Sequence, residues 1–119
     1  APLDDSERTE GTRVRGCASQ VWLVGATSRE ADGMLHLAFR GDSDAHIVRG
    51  LVALTLAIYS GRTAQEILDT DAARFFSEIG LKDHLTPQRS NGLAAMVARI
   101  KDDARQALAG ASGSANAGR

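Results

Sequence analysis

Residues 34–63, MLHLAFRGDSDAHIVRGLVALTLAIYSGRT, change periodicity midway, and that change decides the fold class. From Met34 to Arg40 the apolar side chains alternate. Leu35, Leu37 and Phe39 fall on one face and His36 and Arg40 on the other, which is the period of a half-buried strand. His36 is thereby read as an outward, solvated side chain. Asp42, Ser43 and Asp44 follow, all of the N-cap type, and an apolar helical run then continues to Tyr59. Its side chains occupy most of the helix circumference, so the helix belongs in the middle of the domain. Ser60-Gly61 stops it, because glycine tolerates the left-handed conformation that ends helices.

Upstream, residues 20–27 (QVWLVGAT) are rich in Val and Trp and suit a largely buried strand. SREADG at 28–33 ends in Asp-Gly, a turn signal, so the two strands form a hairpin. Residues 1–12 are charged and turn-like and are read as irregular. Their acids Asp4, Asp5, Glu7 and Glu10, beside Arg8, are read as a solvated segment. Downstream, Thr63-Ala-Gln-Glu66 is a capping box opening a short helix to about Leu68. A second short helix covers roughly Asp71–Ile79 and ends at Gly80. The last runs from about Asn91 to Ala109, with Leu93, Met96, Val97, Ile100, Ala104 and Leu108 on one stripe. The tail 110–119, built of Gly, Ala, Ser and Asn before a final Arg, is read as disordered. Strands first and helices afterwards predict an α+β domain over 1–109, with a small antiparallel sheet packed on one side by helices.

Composition excludes several classes. The chain has 119 residues and a formal net charge of -1, so it lacks the basic balance of a dedicated nucleic-acid binder. Its few aromatics offer no stacking platform for bases. The apolar run within Ile47–Tyr59 is broken by Arg49 and Gly50 and is too short to span a bilayer. The opening residues show no signal-peptide pattern, and without an initiator Met the start reads as processed or as a fragment. A single cysteine, Cys17, forms no internal disulfide and no multi-thiolate zinc site, which points to a reducing, cytoplasmic setting. The Ala- and Arg-rich makeup points to a bacterium. Three histidines without clustered acids do not make a metal site.

Cys17 sits in Arg13-Val-Arg-Gly-Cys-Ala-Ser-Gln-Val-Trp22, just before the first strand. Gly16 favours a turn there, and Arg13 and Arg15 would favour thiolate over thiol. Local context also allows an inert, buried cysteine. RVRGCASQVW (13–22) resembles the cysteine-loop signature of the SufE family of sulfur-acceptor proteins. GDSDAHIVRGLVAL (41–54), YSGRT (59–63) and HLTPQRSNGLAAM (84–96) agree with the same family in order and spacing, so the resemblance spans about residues 13–101.

The resemblance implies the SufE/IscU-like fold. It further implies that Cys17 accepts sulfane sulfur from the persulfide of a SufS-like, pyridoxal-phosphate cysteine desulfurase, stimulates that enzyme, and passes the sulfur to iron–sulfur scaffold proteins. Such a protein is a desulfurase activator and not a stand-alone enzyme. Persulfide transfer needs an accessible thiolate and a good leaving thiol. It needs no cofactor, metal, second cysteine or general-base histidine of its own. By the same resemblance Arg89 and Asp44 stand near the cysteine loop, and His84 falls in a matched block. His46 stands where the family usually has a small residue. Arg89 reads equally as a functional charge, supporting the anion or docking the desulfurase, or as an exposed helix-entrance charge, and Asp44 reads first as an N-cap. Family members carry an N-terminal helix and a Pro-rich segment ahead of the charged stretch, and that helix is expected to be missing here. Cys17 is expected to be partly buried by apolar neighbours.

Two other classes compete. An iron–sulfur cluster scaffold shares the fold but usually needs several thiolate ligands. A small cysteine hydrolase needs a histidine within hydrogen-bonding distance of the thiol.

Overall fold

The computed structural model describes residues 3–16, 20–81 and 85–117; Cys17 and His84 lie outside the described residues. The hairpin of alternating apolar residues is present as β1 (Val21–Arg29) and β2 (Leu35–Ser43). They pair antiparallel from Val21↔Ser43 to Arg29↔Leu35. At the turn Asp32 Oδ1 accepts the Met34 N–H at 2.8 Å, and Gly33 adopts φ +79. An Asp side chain and a left-handed glycine close this connection, as the Asp-Gly pair predicts.

β2 continues three residues past the strand read from the sequence, and this corrects the capping assignment. Asp42 and Ser43 are strand residues, because pairing with Trp22 and Val21 satisfies their backbone. Helix α1 (His46–Tyr59) begins after them with Ala45 at the cap position and no side-chain cap bond. Asp44 does not cap, because its carboxylate is turned to the N–H of Gln20. Leu51, Val52, Thr55, Leu56, Ile58 and Tyr59 of α1 are buried, and past the first turn, where His46 and Arg49 are exposed, only the small residues Gly50, Ala53 and Ala57 face out. Its apolar girth is thus used against the sheet on one side and a later helix on the other.

The short strand β3 (Arg62–Thr63), which the sequence reading missed, pairs with His36 and Leu37 and gives the order β1-β2-β3. Two residues carry no readable periodicity. Helix α2 (Ala64–Asp69) opens with the capping box: Thr63 Oγ1 accepts the Glu66 N–H at 3.1 Å and Glu66 Oε1 accepts the Thr63 N–H at 2.9 Å. Helix α3 (Ala72–Glu78) is capped by Asp71, which accepts from Ala73 and Arg74. Helix α4 (Pro87–Ala117) starts four residues before the expected Asn91. Thr86 accepts the Arg89 N–H on its hydroxyl, and Pro87 takes the first helical position, where its missing N–H costs nothing. The backbone stays helical to Ala117, over residues read above as a tail, since alanines continue a ladder already formed. Leu93, Met96, Ile100 and Ala104 form its buried stripe.

The opening segment also differs from its reading as irregular and solvated. Leu3 is 5% exposed, and Asp5–Glu7 form a short 3-10 helix. Arg40 pairs with Glu7 across to β2. Arg8 lies over the Trp22 ring at 5.4 Å and donates to Asp42 at 2.7 Å. Charges scattered in sequence are here matched to charges on the sheet.

His36 is likewise not simply solvated. Its Nδ1 meets the Gly61 carbonyl at 3.0 Å and its Nε2 meets Asp32 Oδ2 at 2.9 Å. Both partners are acceptors, so the ring is best satisfied as imidazolium. The Gly61 carbonyl first, then Asp32, holds its pKa above the ordinary 6.5. Its contribution to stability is complete below 6.5 and is lost as pH rises through the raised value. An NMR titration should place the His36 midpoint above 6.5, and Asp32→Asn should lower it. A midpoint at or below 6.5 would refute this pairing.

Candidate functional site

The segment holding the single cysteine is anchored at both ends. On its entry side residues 12–14 run antiparallel to the start of β1. The Val14 N–H donates to Val21 O and the Leu23 N–H donates to Thr12 O, both at 2.8 Å, with Arg13 facing Trp22. Residues 12–14 thus join the edge of the core sheet beside the start of β1. Arg99 of α4 ties down the same entry strand, donating to Gly11 O at 2.7 Å and Arg13 O at 3.2 Å.

Gly16 adopts φ +92, and a Cβ on it would lie 3.3 Å from the Ala95 Cβ of α4. The residue before the cysteine is thus left-handed and pressed against a helix. Gly16→Ala should destabilise the protein by about 1–2 kcal/mol, from the left-handed backbone alone. Urea unfolding measures it, and a loss below about 0.5 kcal/mol would mean that the turn relaxes freely.

The exit side is held by β2. The Gln20 N–H donates to Asp44 Oδ1 at 3.1 Å, and the Asp44 N–H donates back to Gln20 O at 3.2 Å. Ser43 Oγ also donates to Gln20 O at 2.6 Å. This reciprocal clamp is the work of the Asp44 carboxylate, in place of the helix cap expected of it.

Next to the clamp lies Asp42, 3% exposed. Its carboxylate accepts from the Leu3 N–H at 3.2 Å, Arg8 Nη2 at 2.7 Å and the Ser43 N–H at 2.9 Å, and it pairs with Arg49 Nε at 2.9 Å. Burial alone would raise its pKa, but the Arg8 bond, the two N–H groups and the Arg49 charge outweigh burial and hold it at about 2. Arg49 Nε also donates to Ser43 O at 2.9 Å. The opening segment, the clamp and the start of α1 therefore meet on one carboxylate.

Of the residues singled out by sequence, the structure brings Gly16 and Asp44 to the two ends of the cysteine segment. Arg15 is exposed at its start. Arg13 is turned to Glu10, at 3.8 Å, a weak surface pair. Arg89 is half-buried in the first turn of α4, one turn ahead of Leu93 on the inward stripe, beside the face that carries Ala95. His46 is the exposed first residue of α1, and His36 is engaged at the far hairpin turn. The expectations for the exposure of Cys17 and for His84 fall outside the described residues. Among the described residues no group of three His, Cys, Asp or Glu side chains is placed to hold a metal ion.

Sequence reasoning missed Asp42, Arg99 and Thr86. Thr86-Pro87 was a legible signal, a hydroxyl before a proline at a helix start. Asp42 carried none, because in Gly-Asp-Ser-Asp any of the three polar residues could have been the cap. Arg99 looked like any solvated charge of an amphipathic helix.

The SufE family model, described as an Fe-S metabolism associated domain, matches residues 1–104. An uncharacterized SufE-like protein of Rhizobium etli is 54% identical over 103 residues, covering 87% of this chain and 69% of that protein. Another from Rhizobium meliloti is 52% identical over 106 residues, covering 89% of this chain and 75% of that protein. Among the described residues no helix is long and apolar enough to cross a membrane.

Proposed function

The chain belongs to the SufE family, whose domain is associated with Fe-S metabolism, and from that premise we propose that it is a sulfur carrier loaded by a cysteine desulfurase in the cytoplasm. The observation that carries the reading is the anchored segment: the only cysteine of the chain lies between two ends fixed by Gly16 and by the Asp44–Gln20 clamp. Loops on a rigid support are where reactive groups are held at low reorganisation cost.

The step is a thiol–disulfide type exchange. The Cys17 thiolate attacks the terminal sulfur of the desulfurase persulfide. The new S–S bond forms on Cys17, the old one breaks, and the desulfurase cysteine leaves as thiolate. The proton of the terminal sulfur travels with it, and the transferred sulfur keeps its oxidation level. The pyridoxal phosphate that first releases the sulfur belongs to the donor. The carrier then surrenders the sulfur by the same exchange to an iron–sulfur scaffold protein.

Within this reading Gly16 shapes the turn and Asp44 fixes the exit, while Arg15 and Arg89 supply positive charge for the thiolate and persulfide anions. His84 enters this reading only through the matched block that also holds Arg89. Removing the loaded sulfur from the donor frees it for the next turnover, which is how a carrier accelerates a desulfurase. A cluster scaffold is disfavoured by the single cysteine, since a cluster takes several thiolate ligands.

The test is the rate of alanine release by a bacterial cysteine desulfurase supplied with cysteine. Wild-type protein should raise it several-fold and Cys17→Ser should leave it at the basal rate. Equal acceleration by Cys17→Ser, or none by wild type, refutes the proposal.

A further inference from the structure

Strand β1 is paired with β2 along its whole length, but on its other side only its start is covered. There residues 12–14 bond Val21 O and the Leu23 N–H, so the odd-numbered residues of β1 turn their main-chain groups to the outer side. By that alternation the N–H and C=O groups of Gly25 and Thr27 also face outward. Among the described residues nothing pairs with them. Residues Gly25–Arg29 are exposed. Unpaired edges of this kind are templates for an added strand.

Behind the edge, the sheet and α4 part to leave a cleft of about 450 Å³, lined in part by Gly25 and Thr27 of β1 and by Asp103, Gln106 and Ala107 of α4. Gly25 keeps it open: a Cβ there would lie 3.1 Å from the Phe39 ring and 3.7 Å from Asp103 Oδ2. The odd-numbered side chains of β1 face α4, and so would every second side chain of a strand added alongside. Asp103 waits in that space. Its carboxyl is held above the ordinary range by burial, against the opposing charge of Arg99 at 3.4 Å. The other nitrogens of Arg99 are already committed to Gly11 O and Arg13 O. A second cation would therefore complete a carboxylate that now has part of one guanidinium.

We propose that the β1 edge from Gly25 to Arg29 is a docking site for an extended segment of a partner protein, which adds as a strand and directs a Lys or Arg side chain to Asp103. The unpaired main-chain groups set the extended conformation, the cleft sets the inward positions, and the carboxylate sets the charge. Gly25 is five residues beyond Gln20, roughly 17 Å along the strand at about 3.3 Å per residue. The edge is thus separate from the cysteine segment, and its role stands or falls independently of sulfur transfer.

The probe is the acetylated, amidated peptide Ser-Thr-Val-Lys-Val-Thr-Ser, titrated into the full chain and followed by amide NMR, with a second peptide in which Glu replaces Lys. Shifts should be confined to residues 24–29 and 99–107, and the Glu peptide should bind at least about tenfold more weakly. Thr27→Pro removes an outward N–H at an edge position that tolerates proline, and Asp103→Asn removes the charge. Each should weaken binding about tenfold or more, with spectra otherwise unchanged. If Asp103→Asn disturbs the fold, Thr27→Pro and the Glu peptide still decide. The proposal is overturned by shifts elsewhere, by equal binding of the two peptides, or by indifference to Thr27→Pro. Concentration-dependent shifts of Gly25 and Thr27 without peptide would assign the edge to a second copy of the chain and overturn it equally.

Discussion

Asp42→Ala should lower the unfolding free energy by about 3 kcal/mol, the order expected when one partner of a buried ion pair is removed. The loss has three sources. The Leu3 and Ser43 N–H groups lose their acceptor, Arg8 keeps its place over Trp22 without a counter-charge, and Arg49 retains only the Ser43 carbonyl. An exposed pair would be worth a fraction of this, but the Asp42 side chain is only 4% exposed. The pH dependence gives an independent check. A carboxyl lowered from 3.8 to about 2 contributes fully above 3.8, and that contribution is lost as pH falls through about 2. The stability gap between wild type and Asp42→Ala, measured by urea unfolding, should therefore be constant from neutral pH to about 5 and narrow below 4. A gap under about 1 kcal/mol at neutral pH would mean that the cluster is a surface network.

Gly41→Ala should also be destabilising, here through packing beneath the sheet. Its Cβ would lie 2.7 Å from both Leu23 Cδ2 and Val52 Cγ1 and 3.2 Å from Trp22 O. All three neighbours belong to buried residues, and Val52 is stiff at its branched carbon. The φ of Gly41 is not positive, so sterics alone oppose the alanine. Overpacking of this kind costs about 1–3 kcal/mol, against about 0.4–1 kcal/mol recovered from a stiffer unfolded chain. The balance is a loss of about 1–2 kcal/mol. Adding Val52→Ala should recover part of it, so the two substitutions together cost less than their sum. Strict additivity would show that α1 shifts away from the sheet as a body.

These two sites mark the limit of what the sequence discloses. The hairpin around Asp32-Gly33, the Thr63–Glu66 capping box and the stripe of α4 were legible because each depends on residues a few positions apart. Asp42, Asp44 and Arg99 act across the chain. Gln20 meets Asp44 across 24 positions, Leu3 meets Asp42 across 39, and Arg99 reaches Gly11 across 88. No local period encodes such contacts, so Asp44 was read as a cap and Asp42 as one of three equivalent cap residues. Gly16 was legible as a turn, but its contact with Ala95 was not. Around Cys17 the sequence supplied the proposed reactive group, and the tertiary contacts fix the residues on either side of its segment, Gly16 and Gln20.

The most direct measurement is the intact mass of the protein after incubation with a cysteine desulfurase and cysteine, with and without a reductant. Wild type should gain the mass of one sulfur atom, and the gain should vanish on reduction and be absent from Cys17→Ala. No gain on wild type, or a gain that survives in Cys17→Ala, would contradict Cys17 as the sulfur carrier.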